Sequence, residues 1–162
     1  MRQKRILTII DLQSDYLELI DHQFCQDMME YIYKVLRTQK YDLIINVSYG
    51  DILGKSTDRE LNKILSNTKN VFYVSKEQND GSVEILDAIE AKGYTIENSQ
   101  VEIVGVNSDA CVIDTVRGLW EKWHRNTLVH RKGIGTLGGR TVNEKALVEM
   151  CRNYGVVTME CH

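Results

Sequence analysis

The chain has 162 residues, of which 43% are hydrophobic and 27% are charged, values typical of a globular domain that buries its own core. Its formal net charge of −3 argues against a nucleic-acid partner, because binding to phosphates needs an excess of positive charge. No apolar stretch approaches the length of a membrane span, and Asp11 interrupts the first apolar run too early for a signal peptide. We therefore expect one domain over residues 1–162 that is cytoplasmic and binds no membrane.

Apolar runs of strand length alternate with segments of helical periodicity throughout the chain. Residues 4–12 form the first strand, a continuous apolar run of the kind that is covered on both faces of a parallel sheet. Helices are predicted at 22–39, 57–65, 83–92, 111–124 and 141–153. The other strands are predicted at 41–47, 70–75, the apolar run that opens at Val101, 126–130 and 155–159, and the Gly-rich stretch 132–139 is expected to be a loop over the pocket.

This alternation predicts a three-layer α/β/α domain with a six-stranded parallel sheet in the order 3-2-1-4-5-6. In such sheets ligands bind at the carboxyl ends of the strands, at the switch point between strands one and four. Asp11, Lys76 and Cys111 follow the first, third and fourth strands. The topology therefore brings a carboxylate, an amine and a thiol to one edge of the sheet.

The turn after the fourth strand is the segment most indicative of chemistry. Gly105 breaks its apolar run, Ser108 and Asp109 are helix-capping residues, and Cys111 lies on the expected first turn of a helix. A helix N-terminus favours a thiolate through its free N–H groups and its dipole, which lowers the pKa of a cysteine. The turn thus predicts a reactive Cys111. The spacing of the four cysteines indicates free thiols, and Cys25, Cys151 and Cys161 are expected to be small, inert, buried side chains.

Three segments, taken in order, resemble motifs of the isochorismatase-like cysteine hydrolases. Asp11-Leu-Gln-Ser-Asp-Tyr16 resembles the first-strand motif D-x-Q-x-D-F/Y of that family. Gly105-Val-Asn-Ser-Asp-Ala-Cys-Val112 resembles its nucleophile segment G-x-x-T/S-D-x-C-V. Lys76, followed by Gly81-Ser82 and a helix, resembles the lysine loop of the family. The resemblance covers the chain from the first strand to the last.

The resemblance implies a catalytic triad. Cys111 would attack an amide carbonyl carbon, Asp11 would move the proton, and Lys76 would stabilise both anions. Backbone N–H groups of Asn107 and Cys111 would form the oxyanion hole, with a cis peptide bond between Val106 and Asn107. The substrate pocket would include a further set of residues, Gln13, Tyr16, Tyr49 and Ser108.

A metal site is not expected. Nicotinamidases of the family carry an Asp and several His after the second strand, whereas residues 47–54 here contain Asp51 and no histidine. The histidines lie elsewhere without ligand spacing, at His22, His124, His130 and His162. We therefore expect neither metal nor cofactor. The loops are short for the family, which favours either a wide pocket or one that a second subunit completes. We expect a homo-oligomer, a dimer or tetramer.

The function expected is a metal-independent cysteine hydrolase that cleaves a C–N bond of a small amide-like substrate through a covalent acyl-enzyme. Two alternatives stay open, a catalytically idle member that binds a small molecule or a protein, and an ether hydrolase that does not need its cysteine. Taken singly, Asp11 could cap a helix and Lys76 could be a solvated loop charge. Trp120 and Trp123 are expected to serve packing or an oligomer contact.

Overall fold

The structure is a computed structural model that describes residues 2–51, 54–122 and 124–159. The strands are β1 (Lys4–Ile10), β2 (Leu43–Tyr49), β3 (Val71–Lys76), β4 (Ser99–Val106), β5 (Thr127–Gly135) and β6 (Val157–Met159). The helices are α1 (Ser14–Leu17), α2 (His22–Thr38), α3 (Arg59–Ser66), α4 (Ser82–Ala91), α5 (Ile113–Glu121) and α6 (Gly139–Tyr154). A π-helical turn, Ser108–Val112, precedes α5.

The strands form one parallel sheet in the order β3-β2-β1-β4-β5-β6, which confirms the predicted order. Side chains that alternate along β1 enter two different apolar clusters: Ile6 and Ile10 pack with α4, α5 and α6, and Leu7 and Ile9 pack with α2 and α3. The molecule is therefore the predicted three-layer α/β/α domain, with β1 covered on both faces.

Close approach of β1 and β4 determines where the site forms. Gly105 near the end of β4 has a φ of +135°, and a Cβ built on it would lie 2.1 Å from the carbonyl oxygen of Ile10. Only glycine fits there, because a side chain would collide with the neighbouring backbone. The two strand ends that carry Asp11 and the Cys111 turn are thereby held side by side at the switch point.

Two elements differ from the prediction. The four-residue helix α1 was not predicted, because one turn is too short to show helical periodicity. The predicted loop 132–139 is wrong in its first half, since β5 continues to Gly135. Gly133 and Gly135 both lie in this strand. A Cβ at Gly133 would come within 2.8 Å of Val104, and one at Gly135 within 2.7 Å of Met28, so only glycine leaves room for these neighbours. The two glycines permit tight packing and do not break the strand.

The remaining residues singled out from the sequence have mixed outcomes. Cys25 is half-buried and Cys151 is exposed, both as free thiols, so the expectation of burial is wrong for Cys151. Trp120 is partly exposed and packs against Tyr154 and the guanidinium of Arg125. Of the residues singled out from the sequence, Trp123, Cys161 and His162 lie outside the described part of the chain. No helix in the described ranges is long and apolar enough to span a membrane.

Candidate active site

Asp11 follows β1 directly and is held by backbone contacts. Its N–H donates to the carbonyl of Val47 at 2.9 Å, its carbonyl accepts from Gln13 N at 2.7 Å, and its φ is +51°. This left-handed conformation is tolerated by aspartate more readily than by most residues. It ends the strand abruptly, with the carboxylate buried at the edge of the sheet.

Lys76, the last residue of β3, is fully buried. Its Nζ lies 2.9 Å from Asp11 Oδ2 and donates to the carbonyls of Gln78 at 2.9 Å and Asn79 at 3.1 Å. The ammonium also lies 5.0 Å from the ring centroid of Tyr49. A buried ammonium needs this many partners, because its desolvation is otherwise strongly unfavourable. Lys76 is therefore no solvated loop charge.

The Asp11 carboxylate carries unused hydrogen-bonding capacity. Neither of its oxygens accepts a well-aligned hydrogen bond from a described residue, so the 2.9 Å contact with Lys76 acts as an ion pair. Burial raises the pKa of Asp11, while the charge of Lys76 and the thiol of Cys111 partly offset that rise. A carboxylate whose pKa is raised in this way is a stronger base than a solvated one.

Cys111 lies in the π-helical turn at the end of β4, with 8% of its surface exposed. Burial raises the pKa of its thiol to about 11, the charge of Asp11 adds to the rise, and Lys76 opposes it. This shift is opposite to the predicted lowering of the pKa, because desolvation and a neighbouring carboxylate both disfavour the thiolate. Cys111 is thus a neutral thiol beside a base.

The peptide bond between Val106 and Asn107 is cis, at the predicted position. The Asn107 carbonyl accepts the N–H of Val112 at 3.0 Å, which closes the π-helical turn. The Asn107 side chain accepts the N–H of Leu137 at 3.2 Å. These bonds hold the turn that follows β4 against the segment that connects β5 to α6.

The four predicted pocket residues have different environments. Tyr49 is 39% exposed. Burial raises the pKa of the half-buried Tyr16, and the charges of Asp11 and Cys111 add to that rise. Ser108 is fully buried, and its hydroxyl has no hydrogen-bond partner among the described residues.

Gln13, the fourth predicted pocket residue, has a structural role. Its amide accepts the N–H of Tyr49 at 2.7 Å, and donates to the Tyr49 carbonyl at 3.2 Å and to the hydroxyl of Ser56 at 2.7 Å. All of these bonds tie the segment after β1 to the segment after β2. Gln13 thus holds the backbone of Tyr49 in place. Because Gln13 is itself buried, it contributes little surface to a pocket.

Two residues near the triad were missed from the sequence. Asn79 lies on the turn after Lys76, and its Oδ1 accepts a hydrogen bond from Cys111 Sγ at 3.6 Å. The buried Thr115 hydroxyl accepts the N–H of Gly81 at 3.0 Å and donates to the Asn79 carbonyl at 3.4 Å. The spacing of Thr115, four residues after Cys111, indicates the same helix face and could have identified it. Nothing in the polar turn distinguishes Asn79.

The side chains present do not fit a nicotinamidase-type metal site. Asp51 Oδ2 accepts hydrogen bonds from the N–H and the hydroxyl of Ser56, each at 2.7 Å. His124 is bonded to Ser99 and Thr127 on the far side of the sheet. Within the described ranges no group of three or more His, Cys, Asp or Glu side chains is arranged to hold a metal ion.

The triad is nearly closed, with Asp11 and Lys76 each 1% exposed. One groove of about 640 Å³ runs along α6 and is lined by residues that include Arg140, Glu144 and Val148, far from the triad in the chain. Its lining contains neither cysteine nor histidine. We place the candidate active site at the triad, because a thiol, a carboxylate and an ammonium meet there at the switch point of the sheet.

The sequence matches no protein-family model and no curated protein. Solved structures do match. The nicotinamidase SaPncA of Staphylococcus aureus superposes with a TM-score of 0.75 at 20% identity, over 98% of this chain and 100% of that one. An isochorismatase-like hydrolase of Alkaliphilus metalliredigens gives a TM-score of 0.68 at 12% identity, over 97% of this chain and 94% of that one. The chain has the isochorismatase-like fold.

A third match is described as an octamer. The YcaC gene product of Escherichia coli, an octameric hydrolase of unknown specificity, gives a TM-score of 0.69 at 16% identity, over 97% of this chain and 75% of that one. Proteins with this fold therefore include a nicotinamidase and a hydrolase of unknown specificity. At such identities the isochorismatase-like fold is shared, and the activity has to be argued from the site.

Proposed function

We propose that the protein is a metal-independent cysteine hydrolase that cleaves a C–N bond of a small amide-like substrate through a covalent acyl-enzyme. The observation that carries this proposal is the buried ion pair of Asp11 and Lys76 next to the thiol of Cys111. A buried acid and base that serve only the fold cost stability, whereas at a nucleophile they have a chemical role.

The first half-reaction uses the proton of Cys111. As Sγ attacks the carbonyl carbon, the thiol proton moves to Asp11, an S–C bond forms, and the carbonyl oxygen becomes an oxyanion. Because burial raises the pKa of Asp11, the carboxylate is a better acceptor for a proton from a thiol whose pKa is about 11. Backbone N–H groups of Asn107 and Cys111 would stabilise the oxyanion.

Collapse of the tetrahedral intermediate breaks the C–N bond. Asp11 returns its proton to the leaving nitrogen, which departs as ammonia or an amine and leaves a thioester on Cys111. Water then attacks the thioester with Asp11 again as base, so that the acid and the free thiol are restored. Lys76 keeps its charge throughout and stabilises the carboxylate between proton transfers.

We also propose that the protein is a homo-oligomer. Exposed apolar side chains lie at the end of β2 and in the segments that follow β1 and β5, where the strands end at the triad: Tyr49, Leu19 and Leu137. A neighbouring subunit that covers them would complete the wall of a shallow pocket. Light scattering coupled to size-exclusion chromatography distinguishes a dimer or tetramer from a monomer.

A panel of small amides, N-carbamoyl amino acids and nicotinamide, assayed for ammonia release, tests the hydrolase proposal. The wild type should hydrolyse at least one of them, and Cys111→Ala should not. One observation favours an idle binding module, namely the near closure of the triad, with Asp11 and Lys76 each 1% exposed. Binding of a panel member without turnover, by the wild type and by Cys111→Ala alike, would support that alternative. Turnover that survives Cys111→Ala would indicate hydrolysis that does not need the cysteine.

A further inference from the structure

The Asn79 side chain contacts the Cys111 thiol. Its Oδ1 lies 3.6 Å from Cys111 Sγ, within reach of an S–H···O hydrogen bond. Cys111 is buried whereas Asn79 is exposed, so the contact joins the buried thiol to a residue that solvent reaches.

The orientation of the Asn79 amide is determined by α5. Its Nδ2 donates to Asp114 Oδ2 at 3.2 Å, and the other Asp114 oxygen is paired with Arg117. An ionised carboxylate only accepts hydrogen bonds, so it selects the NH₂ end of the amide. The carbonyl end of Asn79 is thereby directed at Cys111.

The backbone of Asn79 is anchored to the same site. Its carbonyl accepts from Lys76 Nζ at 3.1 Å and from the Thr115 hydroxyl at 3.4 Å. Asn79 therefore contacts Lys76 through its main chain and Cys111 through its side chain. The main-chain bond that places Asn79 beside the thiol therefore also positions the Lys76 ammonium.

We propose, on the basis of the cysteine chemistry proposed above, that Asn79 is a positioning residue that holds the Cys111 thiol in its protonated form until substrate displaces the contact, and that Asp114 sets this orientation. A carbonyl oxygen accepts the S–H hydrogen and so stabilises the neutral thiol over the thiolate. The opposite orientation of the amide would offer N–H groups and favour the thiolate. The contact restrains the nucleophile in the absence of substrate.

Other charged and titratable groups near Cys111 come from three elements. Asp11 follows β1, Lys76 ends β3, and Tyr16 lies in α1. Substitutions at Asn79 leave these three side chains in place. A change in thiol reactivity that follows the chemistry of residue 79 can therefore be assigned to the contact itself.

The test measures alkylation of Cys111 by iodoacetamide between pH 8 and 10, with peptide mass spectrometry to follow each cysteine separately. Asn79→Ala removes the acceptor and should raise the Cys111 rate at a given pH by about two- to tenfold, the range expected for one hydrogen bond. Asn79→Asp places a carboxylate at the thiol and should lower that rate. Asp114→Ala frees the amide to rotate and should raise it.

Controls are present in the same chain. Cys25 and Cys151 should alkylate at unchanged rates in every variant, and circular dichroism should report an unchanged fold. Asn153→Ala removes an exposed asparagine on α6 and should leave Cys111 unaffected. Disruption of the loop would move Asn79→Ala and Asn79→Asp in the same direction, whereas the proposed contact moves them in opposite directions.

The proposal is overturned if Asn79→Ala alkylates at the wild-type rate or more slowly, or if both substitutions shift the rate alike. Alkylation needs no turnover, so these outcomes are independent of the amide panel. If the panel shows no hydrolysis but the opposite shifts are found, the hydrolase proposal fails and the assignment of Asn79 to the thiol stands.

Discussion

Lys76 Nζ lies 2.9 Å from Asp11 Oδ2 with both side chains buried, and the order of strands in the sheet explains how they meet. β2 separates β1 from β3, so the Lys76 side chain crosses the end of β2 to reach a carboxylate that follows β1. Because both side chains are buried, water could not solvate one charge if the other were removed. The stability of this edge of the sheet therefore depends on both charges being present.

Lys76→Met should leave the Asp11 carboxylate buried and unpaired. We expect a loss of about 3–5 kcal/mol in the free energy of unfolding at pH 7, the usual cost of removing one member of a buried pair. Urea denaturation monitored by circular dichroism measures it. Arg37→Met, which breaks the exposed pair with Glu60, should cost less than about 1 kcal/mol. Equal losses in the two variants would show that the Asp11–Lys76 pair is not desolvated in solution.

Asp11→Asn should separate thiol reactivity from turnover. Because the charge of Asp11 contributes to the raised pKa of Cys111, its removal should lower that pKa and make alkylation faster. Loss of the base should at the same time decrease kcat by about 10²- to 10⁴-fold. Alkylation rates and ammonia release are measured on the same preparation. A parallel decrease of both would contradict the assignment of Asp11 as the base.

Glu102 should make the protein sensitive to acid. Burial raises the pKa of this side chain, but hydrogen bonds from His130, Arg5 and Tyr41 outweigh burial and lower it to about 2. A lowered carboxyl pKa contributes stability that is complete above the unfolded-state value near 4.5 and is lost as the pH falls towards 2.

The contribution of Glu102 is on the order of 3 kcal/mol, from a shift of this size. Urea denaturation at a series of pH values between 7 and 2 measures the decline. In Glu102→Gln the decline below pH 4.5 should be shallower, although the stability at pH 7 is lower. The exposed Glu144→Gln serves as control and should keep the wild-type profile. An unchanged pH profile in Glu102→Gln would assign acid sensitivity to other groups.

Gly105→Ala should disrupt the pairing of β1 and β4, because its Cβ would lie 2.1 Å from the Ile10 carbonyl oxygen at a φ of +135°. We expect a loss of roughly 3 kcal/mol or more, since the clash is with backbone that cannot move aside. Gly93→Ala is the matched control, with a positive φ of +80° but open space around its Cβ, and should cost about 1 kcal/mol. Thermal unfolding of the two variants compares them, and similar losses would mean that backbone conformation alone limits both positions.

The placement of the triad could be predicted because all parallel strands end at the same edge of a sheet. Asp11 and Cys111 follow strands and Lys76 ends one, so the predicted order of strands was enough to bring them together. The protonation of Cys111 could not be predicted in the same way, because the depth at which a thiol is buried depends on packing that no local pattern encodes. The sequence position of Cys111 indicated a helix N-terminus and said nothing of the depth of burial.

Glycines and polar turns account for the other differences between prediction and structure. Gly133 and Gly135 suggested a loop, but they lie in β5 where α2 and β4 pack closely against it. The Asn79 side chain lies in a turn with no periodicity, and its contact with Cys111 joins residues 32 positions apart. Such contacts follow from the assembled sheet and from no motif.

Ammonia release from the amide panel, measured for the wild type and Cys111→Ala side by side, tests the central claim most directly. The account predicts that at least one amide is hydrolysed by the wild type and that Cys111→Ala reduces its kcat by about 10³-fold or more. Equal rates for the two proteins, or no hydrolysis of any amide by the wild type, would contradict it.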